Sequence, residues 1–280
     1  MSRQAKPTYL TPALAKGLDI LELLALEPAG LSKAEIARRL RRTPPEVFRM
    51  LVCLEERGYI ARPLGDDLIC LTLKLFQMAM EHPPAKRMIA EALPIMREAA
   101  RAMRQSCHLA VVDDAQVVIL AQADSPASQE FHVRAGSTAD LMEAASGYVV
   151  LAFQGADTRE HMVEQWRERT KRRVPPDLEK HLARIRKVGS EVRPSYVVKG
   201  IINVSFPIFD SYTHAMAALT TPYIERTDHT SSVEKVQAYL RHASAQITEA
   251  IGGRTLVAGN DEQIASALHE QESQTNARTS

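Results

Sequence analysis

The sequence predicts an α+β protein with two domains and a connector helix. Two short amphipathic helical segments follow each other within residues 31–62, and a β-prone hairpin comes directly after them. From residue 106 onward, β-prone runs alternate with amphipathic helices. We therefore predict an N-terminal winged helix-turn-helix domain (residues 1–72), a connector helix (73–84), an antiparallel sheet with flanking helices (85–253) and a polar tail (254–280).

Both helices of the first pair carry a start signal. Ser32 and Glu35 have the spacing of a capping box, in which each side chain bonds a free backbone N–H at the helix start. Thr43 and Glu46 repeat that spacing. Pro44 occupies the first position of the second helix, where the missing N–H costs nothing.

The two helices and the corner between them are typical of a helix-turn-helix. Apolar residues recur at helical spacing in both segments, from Ile36 to Leu40 and from Val47 to Leu54. A helix before them, starting at Thr11-Pro12, should support the pair through one apolar side made of Leu14, Leu18, Leu21 and Ala25.

Charge on these helices favours DNA as the partner. Between residues 32 and 49 there are six basic and two acidic residues, a balance of +4, whereas the whole chain carries +1. Arg49 on the second helix could contact phosphate or a guanine edge in the major groove. The alternative is a helical hairpin with a solvated basic face. The candidate DNA-binding residues are Lys33, Arg38, Arg39, Arg41, Arg42, Thr43, Pro44, Glu46 and Arg49.

The wing and the connector complete the first part of the chain. Residues 59–62 and 68–71 are β-prone, and Asp66 and Asp67 in their turn would repel phosphate, so we expect weak DNA contact there. Thr72 should cap a helix over residues 73–81, and residues 85–105 resume as a helix that Pro94 should kink or restart. The connector is more apolar than an exposed linker needs, with Leu75, Phe76, Met78, Ala79 and Met80. We therefore predict a dimer, possibly a dimer of dimers, on a pseudo-palindromic operator.

Composition excludes several classes of protein. No apolar run reaches the length of a membrane span, and the N-terminus lacks the apolar core of a signal peptide. Three cysteines in apolar segments predict reduced, buried thiols in a cytoplasmic protein. No metal-ligand spacing or cofactor motif is present, so we expect neither.

Beyond the helix over residues 85–105, the second domain should be built from six strands and four further helices. A hairpin is predicted where residues 107–112 and 116–123 flank Asp113-Asp114-Ala115. The remaining predicted strands are residues 128–135, 191–198, 201–209 and 215–221; residues 136–140 should be a loop, and the helices fall within 141–153, 157–170, 176–188 and 231–252.

Two stretches of this domain suggest a ligand site. Ala144-Ala145-Ser146-Gly147 opens a helix with small residues, which would let a ligand approach the backbone or let the helix pack closely on the sheet. In residues 201–209 the even positions are apolar, so Asn203 and Ser205 share the opposite face with either water or a ligand.

The chain resembles the IclR-type bacterial transcription regulators from about residue 14 to residue 253. The resemblance is carried by LSKAEIARRL…FRMLVCLEERGYIAR, by GSTADLMEAASGYVVLAF and by VGSEVRPSYVVKGIINVSFPIFDSYTHAMAALTTPYI. It implies a homo-oligomeric repressor or activator with a GAF-like domain that binds a small organic acid. The positions that match the family's effector site are Ala145, Ser146, Arg193, Asn203, Thr220 and Pro222.

We expect the effector to be a small carboxylate. Arg193 stands where some relatives have an acidic residue, and together with N–H groups near Ser146 it would bind the anion. Alternatively, Arg193-Pro194 is an exposed turn. Asn203, Thr220 and His108 would add polar contacts, with Leu141, Met142 and Tyr148 around the apolar body; His108 could equally be a core or surface histidine.

Two other function classes are less well supported. Cys107 and His108 could suggest a thiolate enzyme, but neighbouring residues of a strand point to opposite faces, so we predict no catalytic residue. A module that binds protein instead of DNA remains the third reading.

Overall fold

The computed structural model describes residues 11–63, 67–80, 83–127, 130–226 and 232–255, apart from the side chains of residues 79, 80, 83 and 84. The predictions for Asp66 and for the polar tail beyond residue 255 fall outside these ranges. The chain divides into two compact units, Met1–Pro83 and Pro84–Ser280.

The first unit has a core of three helices, a small hairpin and a fourth helix after the hairpin. Its elements are α1 (Pro12–Ala25), α2 (Lys33–Arg39), α3 (Pro44–Glu56), β1 (Ile60–Ala61), β2 (Cys70–Leu71) and α4 (Lys74–Met80). Strands β1 and β2 pair antiparallel, and Leu31 bridges Ile69 beside them. Helices α1, α2 and α3 share a core that includes Ile20, Ile36 and Leu51.

Local bonds explain where these helices begin. The Ser32 hydroxyl accepts from the Glu35 backbone N–H at 3.2 Å, so this half of the predicted capping box is formed. At α3 the Glu46 carboxylate accepts from the Thr43 N–H at 3.1 Å and from the Thr43 hydroxyl at 2.8 Å. Between the helices, Arg41 makes the tight corner with a positive φ of 51°.

Two predictions in this unit are wrong. In α1 Leu14 and Leu18 are exposed, at 61% and 47%, because the residues buried in the shared core are Ile20 and Leu24. Leu21 of the predicted side packs partly against that core. The cysteines are not all buried, since Cys53 on the outer side of α3 is exposed and Cys70 in the hairpin is half-buried.

The second unit is one antiparallel sheet between two groups of helices. Its helices are α5 (Pro83–Met103), α6 (Ala145–Ala152), α7 (Ala156–Thr170), α8 (Leu178–Val188) and α9 (Val233–Ala250). Its strands are β3 (Cys107–Asp113), β4 (Gln116–Ala123), β5 (Thr138–Asp140), β6 (Glu191–Pro194), β7 (Ile201–Phe209) and β8 (Ala215–Ile224), in the spatial order β5-β4-β3-β8-β7-β6.

Each face of the sheet has its own core. On one face, α5 and α9 pack through residues such as Met96 and Leu240 against apolar side chains of the strands, among them Val204 and Phe206. On the other face α6 lies directly on the sheet, and α7 and α8 pack against α6. Pro94 does not restart a helix, because α5 is continuous through it.

The edges of the sheet differ from the prediction. The described residues 130–135 are not a strand, because the Val133 N–H bonds the side chain of Gln122 instead of a strand backbone. Gly136, with a φ of 82°, then turns the chain so that the edge strand is β5, which we had predicted as loop. Strand β6 ends at Pro194 rather than continuing to residue 198.

Candidate DNA-binding surface and effector cavity

The outer side of α3 presents one arginine and one aromatic ring. Arg49 is exposed, and Phe48 beside it is 47% exposed. The Lys33 Nζ lies 4.4 Å from the centroid of the Phe48 ring, so α2 and α3 contribute to one surface. Thr43 and Pro44 are exposed at the start of α3. We did not predict Phe48 from the sequence, although its position next to Arg49 on an amphipathic helix was a usable signal.

Acidic residues partly neutralise the basic surface. Glu35 pairs with Arg38 at 2.6 Å and with Arg39 at 2.9 Å, and these two guanidinium groups lower the pKa of Glu35 to about 2. Arg39 also pairs with Glu27, and Arg42 with Asp19 at 3.1 Å. The local charge of +4 therefore overstates the positive field, because residues of α1 and the following turn lie against it.

Within the described ranges, Arg41 and Arg49 are the two candidate arginines without an ion pair. The Glu46 carboxylate is already engaged within the protein and is not available to DNA, because it accepts from Thr43 and pairs with Lys16 of α1 at 2.5 Å. The hydrogen bond from Lys16, followed by those from Thr43, lowers the pKa of Glu46 to about 2. Two free guanidinium groups at the corner and on α3 are suited to phosphate or base edges.

A cavity of about 370 Å³ opens on the α6 face of the sheet. We call it the sheet cavity. Strands β3, β4, β5, β7 and β8 contribute to it, together with the start of α6 and two loops. Its lining residues are His108, Val117, Ile119, Phe131, His132, Val133, Arg134, Ser137, Thr138, Ala139, Ala144, Ala145, Ser146, Ser195, Tyr196, Val197, Asn203, Thr220 and Pro222.

Some of the small residues at the start of α6 line the cavity, and one of them allows close packing of the helix instead. Ala144, Ala145 and Ser146 line the sheet cavity. Gly147 instead packs closely against the backbone of Leu141, where an added Cβ would lie 2.1 Å from the Leu141 oxygen. Ala144 is the N-cap and gives no side-chain cap bond, so the first N–H groups of α6 have no side-chain cap at the cavity wall.

His108 lies on the cavity floor between two strands. It is only 7% exposed and sits opposite Thr220 of β8 and Gln122 of β4 in the sheet register. Its Nδ1 has no hydrogen-bond partner within the described part of the chain. Burial lowers the pKa of His108 to about 4, so the ring is neutral at pH 7.

The predicted polar contacts of the neighbouring strands come together beside it. Asn203 and Thr220 both line the sheet cavity. The Thr220 hydroxyl also shares a 2.8 Å hydrogen bond with the buried hydroxyl of Ser205. Pro222, opposite Asn203 in the register, contributes an apolar ring to the same wall.

The structure places four predicted effector residues outside the lining. Leu141, Met142 and Tyr148 are buried in the core shared by α6, α7 and α8. Arg193 is half-buried in β6, with its guanidinium carbon 4.7 Å from the centroid of the Tyr148 ring. Arg193 is therefore not in an exposed turn. Its strand partner Asn203 lines the cavity although Arg193 does not, and the Nη1 of Arg193 is buried without a hydrogen-bond partner in the described ranges.

Sequence reasoning missed the cation that does line the cavity. Arg134 is exposed at the cavity rim, has no ion pair among the described residues, and is joined there by His132. His132 is held by Gln122 at 2.8 Å and by Asp124 at 3.3 Å. None of the described lining residues is acidic. Arg134 lies in the stretch that we predicted as a strand, so its position at a rim had no sequence signal.

Cys107 and His108 do not form a catalytic pair. The Cys107 thiol is buried in the α5–α9 core, where it donates to the Met96 backbone oxygen at 3.5 Å, whereas His108 faces the opposite side of the sheet. Burial raises the pKa of Cys107 to about 12, which keeps the thiol protonated.

A winged helix-turn-helix unit joined to a unit with a ligand-sized cavity defines the class of DNA-binding transcriptional regulators. Residues 13–63 match the IclR helix-turn-helix domain, and residues 85–249 match the bacterial transcriptional regulator IclR C-terminal domain. The chain therefore belongs to the IclR family of DNA-binding transcriptional regulators.

Individual relatives agree with this membership. The HTH-type transcriptional regulator KdgR of Escherichia coli is 24% identical over 244 residues, which cover 86% of this chain and 92% of KdgR. BhcR of Paracoccus denitrificans is 26% identical over 212 residues, which cover 74% of this chain and 76% of BhcR.

Solved structures share the fold. An IclR homologue from Microbacterium hydrocarbonoxydans, crystallised with 4-hydroxybenzoate, has a TM-score of 0.70 and 22% identity, covering 85% of this chain and 98% of its own. The IclR of Thermotoga maritima has a TM-score of 0.67 and 22% identity, covering 87% of this chain and all of its own. Among the described helices, none has the length and apolar character needed to cross a membrane.

Proposed function

We propose that this regulator changes its affinity for a pseudo-palindromic operator when a small organic acid occupies the sheet cavity, and that it thereby controls a catabolic operon. The observation that carries the proposal is the polar lining of the cavity. It combines a cation, Arg134, with the start of α6, and none of its described members is acidic.

An anion is the ligand that this arrangement favours. The first N–H groups of a helix carry partial positive charge and readily donate hydrogen bonds to a carboxylate. Arg134 adds a full positive charge at the rim, and it takes the role that the sequence suggested for Arg193. Apolar side chains such as Ile119 and Phe131 would surround the ligand's body. The relative crystallised with 4-hydroxybenzoate supports the same class of ligand.

The proposed contacts with DNA are centred on α3. Arg49 would contact a guanine edge or phosphate, while Lys33 and Arg41 would contact phosphate. Arg38, Arg39 and Arg42 would exchange their surface ion pairs for phosphate, which costs little because exposed pairs contribute about 0–1 kcal/mol. A dimer would place two such helices on the two halves of the operator.

A thermal-shift comparison of carboxylic acids with their neutral amides tests the ligand's charge. We expect the strongest stabiliser to be an acid, and Arg134→Gln to weaken its binding by about tenfold, as expected for a lost charge-assisted contact. Arg173→Gln is the matched control, because Arg173 is exposed, lies outside the lining and should leave binding unchanged. If an amide stabilises as well as its acid, the organic-acid proposal fails.

A further inference from the structure

The outward side of α3 carries apolar groups beside its arginine. Phe48 is 47% exposed, Pro45 is exposed one turn before it, and Val52 is half-buried one turn after it. Residues three and four apart are neighbours on a helix, so these three side chains form one row, which we call the apolar strip. Arg49 lies next to this strip and is exposed as well. The surface assigned to DNA is therefore partly apolar.

The core of the first unit does not account for the Phe48 ring. The side chains of α3 that this core buries are Val47 and Leu51. A single exposed apolar residue is common on a protein surface and needs no function by itself. Phe48 differs in its position, because it precedes Arg49 in the first half of α3, and the N-terminal residues of a recognition helix are the ones that contact base edges.

A lysine of α2 holds the ring in place. The Lys33 Nζ lies 4.4 Å from the centroid of the Phe48 ring, at the distance of a cation–π contact. Lys33 is exposed and has no ion pair in the described ranges, so its ammonium group can contact phosphate while it stays near the ring. The orientation of Phe48 is thus constrained before DNA binds, which lowers the entropy lost on binding.

The chemistry of a phenylalanine side chain selects one base. It has no hydrogen-bonding group, so it cannot pair with the donors and acceptors of a base edge. Thymine is the base that presents an apolar group in the major groove, its C5 methyl, and phenylalanine is one of the side chains that contact it. Arginine instead pairs with the O6 and N7 atoms of guanine.

We propose that Phe48 is a specificity-determining residue that contacts the C5 methyl group of a thymine in each operator half-site. The half-site then holds a T·A pair beside the base pair or phosphate that Arg49 contacts. This inference rests on one part of the proposed function, the entry of α3 into the major groove. It does not depend on the ligand of the sheet cavity.

Replacing thymine by uracil removes the methyl group and leaves base pairing intact. In an operator duplex selected in vitro with the purified protein, each thymine is replaced in turn by deoxyuridine at the equivalent positions of both half-sites. Fluorescence anisotropy at fixed salt measures the affinity of the full-length protein. We expect one position to weaken wild-type binding by about fourfold per half-site, which corresponds to about 0.8 kcal/mol for one buried methyl group.

Variants assign this methyl effect to Phe48. Phe48→Ala should bind the thymine operator more weakly than wild type and should bind the thymine and uracil operators equally. Phe48→Leu keeps an apolar side chain and should retain a preference for thymine. Tyr212→Ala, at an exposed aromatic position of the second unit, is the control and should keep the full methyl effect. If Phe48→Ala does not fold, Phe48→Gln provides the same test with a side chain suited to an exposed helix position.

The outcomes separate this inference from the placement of α3. A methyl effect that persists in Phe48→Ala, or the absence of any thymine whose methyl group matters, overturns the role of Phe48. A Phe48→Ala chain that becomes monomeric by light scattering assigns the ring to a protein interface and overturns it too. In each of these cases Arg49→Ala should still weaken binding if α3 enters the major groove. If Arg49→Ala binds as wild type does, that placement fails and the inference fails with it.

Discussion

At the scale of single residues, His108 ties the stability of the sheet to pH. Its ordinary pKa of 6.5 is lowered to about 4 by burial. Between these values the unfolded chain binds a proton on this ring and the folded chain does not. The free energy of unfolding therefore falls as the pH falls through this window, and the full contribution is present above about pH 6.5.

We predict that His108→Phe reduces this acid sensitivity. The wild-type chain should lose on the order of 3 kcal/mol through His108 between about pH 6.5 and pH 4, because the ordinary pKa of 6.5 is lowered to about 4 in the folded chain. Urea unfolding of both chains, followed by circular dichroism at several pH values, measures the difference. Parallel pH profiles for the two chains would show that the ring is solvated or paired in the folded state.

Arg49 is the residue on which operator recognition should depend most. It is exposed on α3 and has no ion pair in the described ranges, so no internal bond must break before it contacts a guanine. Arg49→Ala should weaken operator binding by about ten- to a hundredfold, from the roughly 1–3 kcal/mol of a bidentate contact. Fluorescence anisotropy at fixed salt measures this effect.

Arg41 offers a contrasting test at the same surface. If it contacts phosphate, Arg41→Ala should reduce the salt dependence of binding by about one ion without relaxing sequence preference. Lys180→Ala, on α8 of the second unit, should change neither property. Operator binding by Arg49→Ala equal to wild type would reject the placement of α3 in the major groove.

At the scale of elements, the packing of α6 in the second unit depends on Gly147. All eight residues of α6 are buried, and the Leu141 backbone oxygen occupies the space beside Gly147. A methyl group there would force the start of α6 away from Leu141. The adjacent residues Ala145 and Ser146 would move with it, so cavity shape and helix packing are coupled.

Gly147→Ala should therefore destabilise the second unit and weaken effector binding together. The expected loss is about 1–3 kcal/mol, typical of an overpacked core. Gly155→Ala is the matched control, since its added Cβ would meet only the His214 ring nitrogen at 3.6 Å. Differential scanning calorimetry compares the two variants. A Gly147→Ala chain as stable as wild type would mean that α6 can shift freely on the sheet.

The sequence predicted elements whose signal is local. The alternation in residues 201–209 matches β7, and the turn at Asp114-Ala115 matches the hairpin of β3 and β4. Prediction from the sequence failed where contacts with residues distant in the chain determine the secondary structure. Residues 130–135 are β-prone, yet Gln122 takes the hydrogen bond of Val133.

The lining of the sheet cavity was likewise predicted only in part, because only its local features are visible in the sequence. Alternation along the strand placed Asn203 on the ligand side, the resemblance to the IclR family supplied Thr220, and both line the sheet cavity together with His108. Arg134 and Arg193 could not be distinguished, since which of two arginines reaches a cavity depends on how a loop and an edge strand lie in space. Likewise, periodicity identified an apolar side on α1 but not whether the monomer buries it.

At the scale of the whole molecule, exposed apolar side chains in the first unit point to assembly. On α1 they are Leu14 and Leu18, and near or on α4 they are Leu73, Phe76 and Met78, each between 47% and 73% exposed. Water contact with so many large apolar groups is unfavourable, and such surfaces usually mark protein interfaces.

We predict a dimer at micromolar concentration that uses these side chains. Leu14→Glu combined with Phe76→Glu should yield monomers by light scattering and weaken operator binding, because one winged helix then binds only one half-site. Tyr212→Glu, at a 78% exposed position of the second unit, is the control and should leave the oligomeric state unchanged. A wild-type monomer, or a double variant that remains dimeric, would place the interface elsewhere.

The regulatory role proposed for this protein requires that occupancy of the sheet cavity by an acid changes operator affinity. An operator duplex selected in vitro with the purified protein allows that coupling to be measured by fluorescence anisotropy, with and without the most stabilising acid and its neutral amide. We predict that the acid shifts the dissociation constant of the wild-type complex by about five- to a hundredfold, a typical coupling between sites. The amide should have no effect, and Arg134→Gln should need about tenfold more acid for the same shift. An operator affinity that is unchanged by saturating acid, or is changed equally by the amide, would contradict the claim.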